Sequence, residues 1–328
     1  MVANVICPVR IAALHAPCRQ GFFGIMASFF QHFINGITLG GVYALVALGY
    51  TMVYGILKFI NFAHGDILMW GSYVGLFTYN AIRGSAGPGA FSIFAFFVAM
   101  LVSCVFCALL GMSVERVAYK PLRKAERLAP LLSAIGVSYF LSNAAQLLFG
   151  TQSRKMDYPF DNSPISFLSV SITPHQLMVL AVSAASMAFL IFFINKTKTG
   201  KAIRATSLDQ DAAALMGINP DRIISVTFAI GSVFAAIAGM LVSLDIKIYA
   251  TMGMMLGMKA FVAAVVGGIG DIAGAVLGGI MLGLLETFGI AVLHIPVGYK
   301  DSIAFVVLIL ILIVKPSGIL GKNIREKV

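Results

Sequence analysis

Charge is what this chain has least of. Of its 328 residues, 11% are Asp, Glu, Lys or Arg and 59% are hydrophobic, and the mean hydropathy is +0.95. The scarcity is uneven: residues 20–57, 84–114, 128–153, 162–195 and 223–244 contain no charged side chain at all. A helix needs about 20 apolar residues to cross the hydrocarbon of a bilayer, and a water-soluble domain cannot hide so many stretches of that length. Cysteine is scarce too, and its four copies give no disulfide framework. Cys104 and Cys107 form a C-x-x-C, but inside an uncharged run with no histidine near, where small hydrophobes in a buried helix are the plainer reading than a redox or metal site. No G-x-x-x-x-G-K-[ST] occurs: Gly200-Lys201 is followed by Ala202 and Gly321-Lys322 by Asn323. The chain therefore has no phosphate-binding loop of its own, and any energy from ATP must come from another chain. H-E-x-x-H, G-x-S-x-G and a dense set of intramembrane carboxylates are also missing, which argues against a membrane-embedded enzyme.

What is present points to helices. Lipid offers no water to unpaired backbone groups, so a spanning chain is either helical or a closed barrel. Barrel strands alternate apolar and polar over about 10 residues, whereas the runs here are continuous and longer. The expected fold is all-α: a polytopic bundle of about eight transmembrane helices, near 29–57, 61–79, 91–114, 131–149, 176–194, 223–244, 272–293 and 301–315. Residues 1–25, with Arg10, Arg19, Pro8 and Pro17, read as an N-terminal extension, and 26–328 as a single transmembrane domain.

The net charge of +10 does not indicate nucleic acid. Most of the Lys and Arg fall in residues 115–130 (Arg116, Lys120, Arg123, Lys124, Arg127), in 196–222 (Lys196, Lys198, Lys201, Arg204, Arg222) and in the tail (Lys315, Lys322, Arg325, Lys327). Basic loops stay on the cytoplasmic side, so all three are placed inside. The loop with Asp157, Pro159, Asp161, Asn162, Pro164 and Pro174 falls outside.

The stretch 258–271 is too short to span untilted and ends Gly267-Gly268-Ile269-Gly270-Asp271. It reads as a re-entrant or broken segment, tolerated where protein or a watery cavity surrounds it. It resembles the stretch Lys58–Asp66 after the first helix, a weak internal repeat, and paired interrupted segments point to a transport site near the midplane. Glycines spaced by four (Gly36/Gly40, Gly71/Gly75, Gly270/Gly274/Gly278, Gly279/Gly283) predict close helix packing. Polar groups inside spans are costly. The candidates for the translocation path are therefore Asn61 and His64, placed at i, i+3 on one helix face, with Asp66, Gly267, Gly268, Asp271 and Glu286; Asn143 and Gln146 are weaker ones. Each could instead tie helices together. No second ligand stands at helical spacing from His64, so no metal or other cofactor is expected.

The loop 196–222 carries the strongest signal. Ser207-Leu208-Asp209-Gln210 has capping-box spacing, with Ser207 as the cap. Leu208, Ala212, Leu215 and Met216 then make one apolar stripe. Gly217 stands where a helix closes in the left-handed conformation, and Asn219-Pro220 caps and starts the next helix. So short a helix is unstable alone and must dock on something. The small face Ala212-Ala213-Ala214 suits a close-fitting groove; the alternative is that it lies on the membrane surface.

Asp211-Ala212-Ala213, followed after three residues by Gly217, resembles the cytoplasmic EAA…G loop of ATP-binding-cassette importer permeases, with Asp in place of the usual Glu. Gln31-His32-Phe33-Ile34-Asn35-Gly36-Ile37-Thr38-Leu39-Gly40-Gly41-Val42-Tyr43-Ala44-Leu45 resembles the opening helix of branched-chain amino acid permeases of the LIV type. So do Gly49–Gly55, Asn61–Gly65, Glu115–Arg123, Ile135–Ser138, Gly200–Ala205 and Gly267–Gly270, in order, over about residues 29–320. The resemblance implies a permease subunit of the inner (cytoplasmic) membrane of a bacterium, moving branched-chain or related amino acids. It implies a second permease of the same superfamily, two ATP-binding subunits and an extracytoplasmic binding protein, with membrane lipid around it. ATPase coupling then falls to Asp211, Ala212, Ala213 and Gly217, with Ser207 and Arg204 beside them. The alternative is a channel or secondary transporter that works without an ATPase on a small polar solute such as urea or an amide. The only Asn-Pro, Asn219-Pro220-Asp221, does not make the paired N-P-A half-helices of aquaporin-type channels.

Overall fold

The computed structural model describes residues 22–321, except 124, 127, 168–169 and 294–295. Residues 1–21 and the tail residues Lys322, Arg325 and Lys327 lie outside that range, as do Lys124 and Arg127 of the first basic loop. The chain folds into helices α1 (Phe22–Leu57), α2 (His64–Arg83), α3 (Ala90–Val114), α4 (Leu128–Phe149), α5 (Pro174–Lys196), α6 (Lys198–Leu208), α7 (Gln210–Leu215), α8 (Pro220–Asp245), α9 (Met252–Gly267), α10 (Ile272–Leu293) and α11 (Lys300–Val314). The exception is a small antiparallel hairpin, β1 (Ile165–Phe167) with β2 (Val170–Ile172), in which Ile165 faces Ile172. The last four residues of the expected extension, 22–25, belong to α1.

Among the described residues, six helices are long and apolar enough to cross a membrane: Met26–Leu57, Ala90–Leu122, Leu128–Phe149, Pro174–Lys196, Pro220–Asp245 and Ile272–Val292. Of the eight expected, α2 and α11 are not among them. α11 has 15 residues. α2 carries His64, Asp66 and Arg83 and is buried along most of its length from His64 to Tyr79. A helix enclosed by protein does not need a lipid-soluble surface, which explains its lower hydropathy. α4 shows the reverse: Leu132, Tyr139, Phe140, Leu147 and Leu148 all point outward.

Hydrogen bonds fix which end is which. The start of α1 meets the hairpin, with Gln31 Nε2 donating to Ser171 O at 2.9 Å and Ser171 N–H to Gln31 Oε1 at 2.8 Å. The end of α1 meets the basic loop, where Gln210 Nε2 donates to Ile56 O at 3.1 Å. The described N-terminus is therefore at the end opposite the basic loops.

The core forms where α1 crosses α10 and where α2, α3 and α8 converge. Glycine sets the first contact. A Cβ on Gly283 would lie 2.3 Å from Gly40 N, and one on Gly40 would lie 2.7 Å from Ile280 Cα. The spacing rule thus holds at Gly36/Gly40 and Gly279/Gly283, while Gly270 serves a turn, with φ +98° and open space around it. Gly283→Ala should separate two backbones that cannot give way. We expect a loss of about 1–3 kcal/mol, the cost of overpacking, read as a lower unfolding temperature in detergent.

The broken segment is narrower than 258–271. α9 runs unbroken from Met252 through Gly267, and the break is the turn 268–271 between antiparallel α9 and α10. The residues from Met252 to Gly257 complete the helix, so the stretch is a 16-residue helix and not a free-standing half-helix. Its exposed carbonyls are satisfied within the chain: Ile319 N–H donates to Val266 O and Leu320 N–H to Gly267 O, both at 2.9 Å.

Candidate functional site

The basic end is built around α6 and α7. The Thr197 hydroxyl caps α6, accepting from Gly200 N–H at 3.0 Å. Asp209 is extended, with φ −155°, and ends that helix. Its carboxylate caps α7, accepting from Asp211 N–H and Ala212 N–H at 2.9 Å each. This corrects the expectation for Ser207, which lies in the last turn of α6 and donates to Arg204 O at 2.8 Å. An anionic acceptor at a helix start gains from the helix dipole as well as from the hydrogen bonds, so Asp209 prevails over a hydroxyl two residues earlier. Gly217 stands as expected: φ is +82°, its N–H reaches Ala214 O at 3.0 Å, and Ile218 N–H reaches Ala213 O at 3.0 Å. This is a Schellman closure. Asn219 Oδ1 then accepts from Arg222 N–H at 3.2 Å and opens α8.

Exposure of this loop also differs from expectation. Ala213 is buried against the chain's own body, so the alanine face is not free to enter a groove as a unit. Ala212 and Ala214 stay outside with Asp211 and Arg204, and Arg204 Nη1 donates to Asn195 Oδ1 at 3.3 Å. Leu208, Leu215 and Met216 are 87%, 90% and 82% exposed, so the apolar stripe faces away from the bundle.

A second network locks this end to the first basic loop. Glu115 is fully buried, pairs with Arg123 and accepts from Ser225 Oγ at 2.5 Å. Asp221, in the first turn of α8, binds Arg123 at 2.7 Å and Lys120 at 2.8 Å.

Asn61, His64 and Asp66 are all buried, but they do not share a helix face, because α2 starts only at His64 and Asn61 sits in the turn before it. Each engages a different neighbour. Asn61 Oδ1 accepts from Tyr119 OH at 2.7 Å, the His64 ring lies edge-on to Tyr50 at 4.8 Å, and the Asp66 carboxylate accepts from Ser138 and from Ser142, the latter at 2.7 Å. Asp271 caps α10, accepting from Gly274 N–H at 3.0 Å. Gly267 is the last residue of α9 and Gly268 opens the break; Gly268 has φ +113°, and a Cβ there would lie 2.5 Å from Gly321 N. Of the weaker candidates, Asn143 is exposed and donates to Tyr139 O at 2.7 Å, and Gln146 is half-buried. The Cys104 and Cys107 thiols point at backbone carbonyls of Val233 and Ile67.

Glu286 stands behind the wall of a cavity, in contact with the lining residues Tyr43, Lys259 and Lys300. That cavity, about 550 Å³, lies among α1, α5, α8, α9, α11 and the loop carrying Tyr158 and Asn162, at the end opposite the basic loops. Lys259 of α9 is 6% exposed. Its ammonium lies 2.8 Å from Glu286 of α10, 2.6 Å from Asp301 of α11 and 3.3 Å from the Tyr43 hydroxyl of α1. Tyr43 OH donates to the fully buried Glu286 at 2.9 Å, and Lys300 approaches Glu286 at 3.5 Å. Across the cavity His175 Nε2 meets Asp245 at 2.7 Å. Tyr158 OH reaches the same carboxylate at 3.5 Å, and burial, helped by that neighbouring charge, holds the phenol above its ordinary range.

Sequence reasoning missed Lys259, Lys300, Asp301 and Tyr43. The available signal was that Lys259 and Glu286 are isolated charges of opposite sign in apolar surroundings, and intramembrane charges generally pair.

Helices of membrane length around a cavity with an apolar wall and a charge cluster at one end, and a folded basic loop at the other, fit the transmembrane subunit of a transporter. Comparison with known proteins narrows the class. The family model for the branched-chain amino acid transport system permease component matches residues 32–312. The chain is 43% identical to the high-affinity branched-chain amino acid transport system permease protein LivH of Escherichia coli K12, over 92% of this chain and 98% of that protein. It is 41% identical to the corresponding protein BraD of Pseudomonas aeruginosa over the same shares. It is also 30% identical, over 49% of each chain, to the autoinducer 2 import system permease protein LsrC of Photorhabdus laumondii. No solved structure matches. The chain belongs to the branched-chain amino acid transport permease family and is a multi-pass protein of the inner membrane.

Proposed function

We propose that this chain is the permease subunit of an ATP-binding-cassette importer that carries branched-chain amino acids inward, and that it performs no covalent chemistry. The observation that carries the reading is the identity of 41–43% to permease subunits along nearly the whole chain. The separate apolar stripe of α7 supports it, because a protruding Leu215 and Met216 outside the bundle need a partner surface to cover them. In this reading α2, α9 and α11 cross the membrane with the six longer helices, α9 and α10 forming the interrupted pair. Two ATP-binding subunits, a second permease and an extracytoplasmic binding protein complete the importer. Asp211, Ala212, Ala213 and Gly217 transmit the ATPase movement, with Arg204 and Ser207 supporting α6. Gln210 hands the movement to the last turn of α1 at Ile56, next to Lys58, which holds an unusual φ of +58°. Asn61, His64 and Asp66 line or brace the inner half of the path, and Gly267, Gly268 and Asp271 the break beside it. Glu286 belongs to the outer vestibule. No observation favours a channel that works without an ATPase.

Reconstitution tests this. The chain with the two ATP-binding subunits, the second permease and the binding protein should import L-leucine into proteoliposomes only when ATP is supplied at the α7 face. Import by the purified chain alone without ATP would sink the reading.

A further inference from the structure

The outer cavity joins an apolar wall to a charge cluster that has more partners than its buried members need. Leu39, Val242, Ile246, Met252, Met255 and Leu256 supply the wall. The cluster is layered. Its floor is the pair Lys259 and Glu286, 6% and 0% exposed, bridged by the Tyr43 hydroxyl. Its rim is Lys300 and Asp301, consecutive residues in the first turn of α11, whose side chains are 31% and 43% exposed. A buried ion pair built only to hold helices together needs one partner per charge. Here Lys259 has a second carboxylate in Asp301, and Glu286 has a second cation in Lys300, held loosely at 3.5 Å.

We infer that Lys300 and Asp301 form a transit site for the head group of an α-amino acid zwitterion, with the Lys259–Glu286 pair as its permanent floor. This rests on the importer reading and places its cargo. The zwitterion carries its ammonium and carboxylate on one carbon, so it can meet two adjacent residues of opposite charge at once. Asp301 turns from Lys259 to the ammonium, and Lys300 turns from Glu286 to the carboxylate. After the exchange Lys259 and Glu286 still hold each other, so no charge is left alone in a low-dielectric site, the outcome that would be costly. The aliphatic side chain lies on the wall of leucine, valine and methionine side chains, where Met255 and Met252 adapt to its shape. The cavity volume of about 550 Å³ falls within the about 300–1,000 Å³ usual for small-molecule sites. The two lysines and two carboxylates of the cluster balance, so a zwitterion leaves the site neutral, whereas an amine or a carboxylic acid of the same shape engages one rim residue and adds an uncompensated charge to a low-dielectric site. Selection against both follows from that net charge, not from any added contact. Because the ligand replaces ion pairs that already exist, net affinity is low, which suits a site that must release its cargo.

The test uses the importer complex of both permeases and both ATP-binding subunits in lipid nanodiscs, without the binding protein, so that only a site in the membrane part is read. Saturation-transfer NMR should show L-leucine binding at about millimolar affinity. The signal should fall at least about tenfold in Lys300→Gln/Asp301→Asn and persist in Lys300→Arg. Isoamylamine and 4-methylpentanoate, which each keep one charge of leucine, should not displace it. A wild-type complex with no leucine signal, an undiminished signal in the double variant, or displacement by either analogue would overturn the site. Size-exclusion chromatography of the double variant shows that it is folded. ATP-driven leucine uptake by the wild-type complex with its binding protein is measured in parallel: if that uptake is present and the site fails, the transport reading stands without it.

Discussion

Gly217→Pro should abolish leucine uptake while leaving the chain inserted in the membrane at normal level. The argument is local. Gly217 occupies φ +82°, and its N–H closes α7 on Ala214 O. Proline fixes φ near −65° and has no N–H, so both the conformation and the bond are lost. A helix of six residues has no reserve of its own. Its order depends on the Asp209 cap, the Gly217 closure and the burial of Ala213. Once the closure is gone, α7 no longer presents Leu215 and Met216 at a fixed place. The next membrane-length helix begins beyond this loop, at Pro220, with its own cap from Asn219, and four others precede the loop, so insertion is not at stake. Leu215→Gln with Met216→Gln gives the complementary variant, which adds no charge at the end of α7 and removes only its apolar tip. If that tip is a centre of docking, losing it costs at least about 2 kcal/mol of binding, more than a tenfold loss of assembly with the ATP-binding subunits. Pull-down from mild detergent and ATP-driven uptake read the two effects. Normal uptake by both variants would refute the docking role of α7.

Lys259→Met should destabilise the bundle more than any other single change in the outer cluster. Glu286 is fully buried, and Lys259 is its closest cation. Removing that cation leaves the carboxylate with Tyr43 and the looser Lys300. Stripping one partner from a buried pair costs about 3–5 kcal/mol, because the remaining charge is left without compensation. Glu286→Gln should cost less, since Lys259 keeps Asp301 at 2.6 Å. The double variant Lys259→Met/Glu286→Leu removes both buried charges, and it should recover most of the stability lost in Lys259→Met. Thermal unfolding of the wild type and the three variants in one detergent gives the ranking. A Lys259→Met protein as stable as wild type would show that the pair does not bear on folding.

The two halves of this protein's depth thus have different characters. At the basic end, helix caps and ion pairs hold a short loop in place. Arg123, Lys120 and Asp221 join the segment after α3 to the first turn of α8 there. At the opposite end, a cavity is lined by side chains from five helices and a loop, and its charges pair across helices far apart in sequence. Tyr43 and Glu286 are separated by 243 positions, and Lys259 and Tyr43 by 216.

That separation marks the boundary of what could be read from residues alone. The uncharged runs determined the helices and most of their ends, because the cost of exposing apolar surface or unpaired backbone in lipid is local to each segment. The closure at Gly217 and the cap at Asn219 were legible for the same reason: each is a contact within a few residues. The cap of α7 is Asp209 and not Ser207: both are cap residues by type, Ser207 alone has the capping-box spacing, and the path of the chain decides between them. The inward burial of Ala213 and the turn position of Asn61 were likewise decided by packing against other helices. Lys259, Lys300, Asp301 and Tyr43 could not be assembled into one site from the sequence, because nothing local brings α1, α9, α10 and α11 to a point. The close approach of glycine-faced helices does that, and the electrostatic need of a buried carboxylate for a cation then chooses the partner.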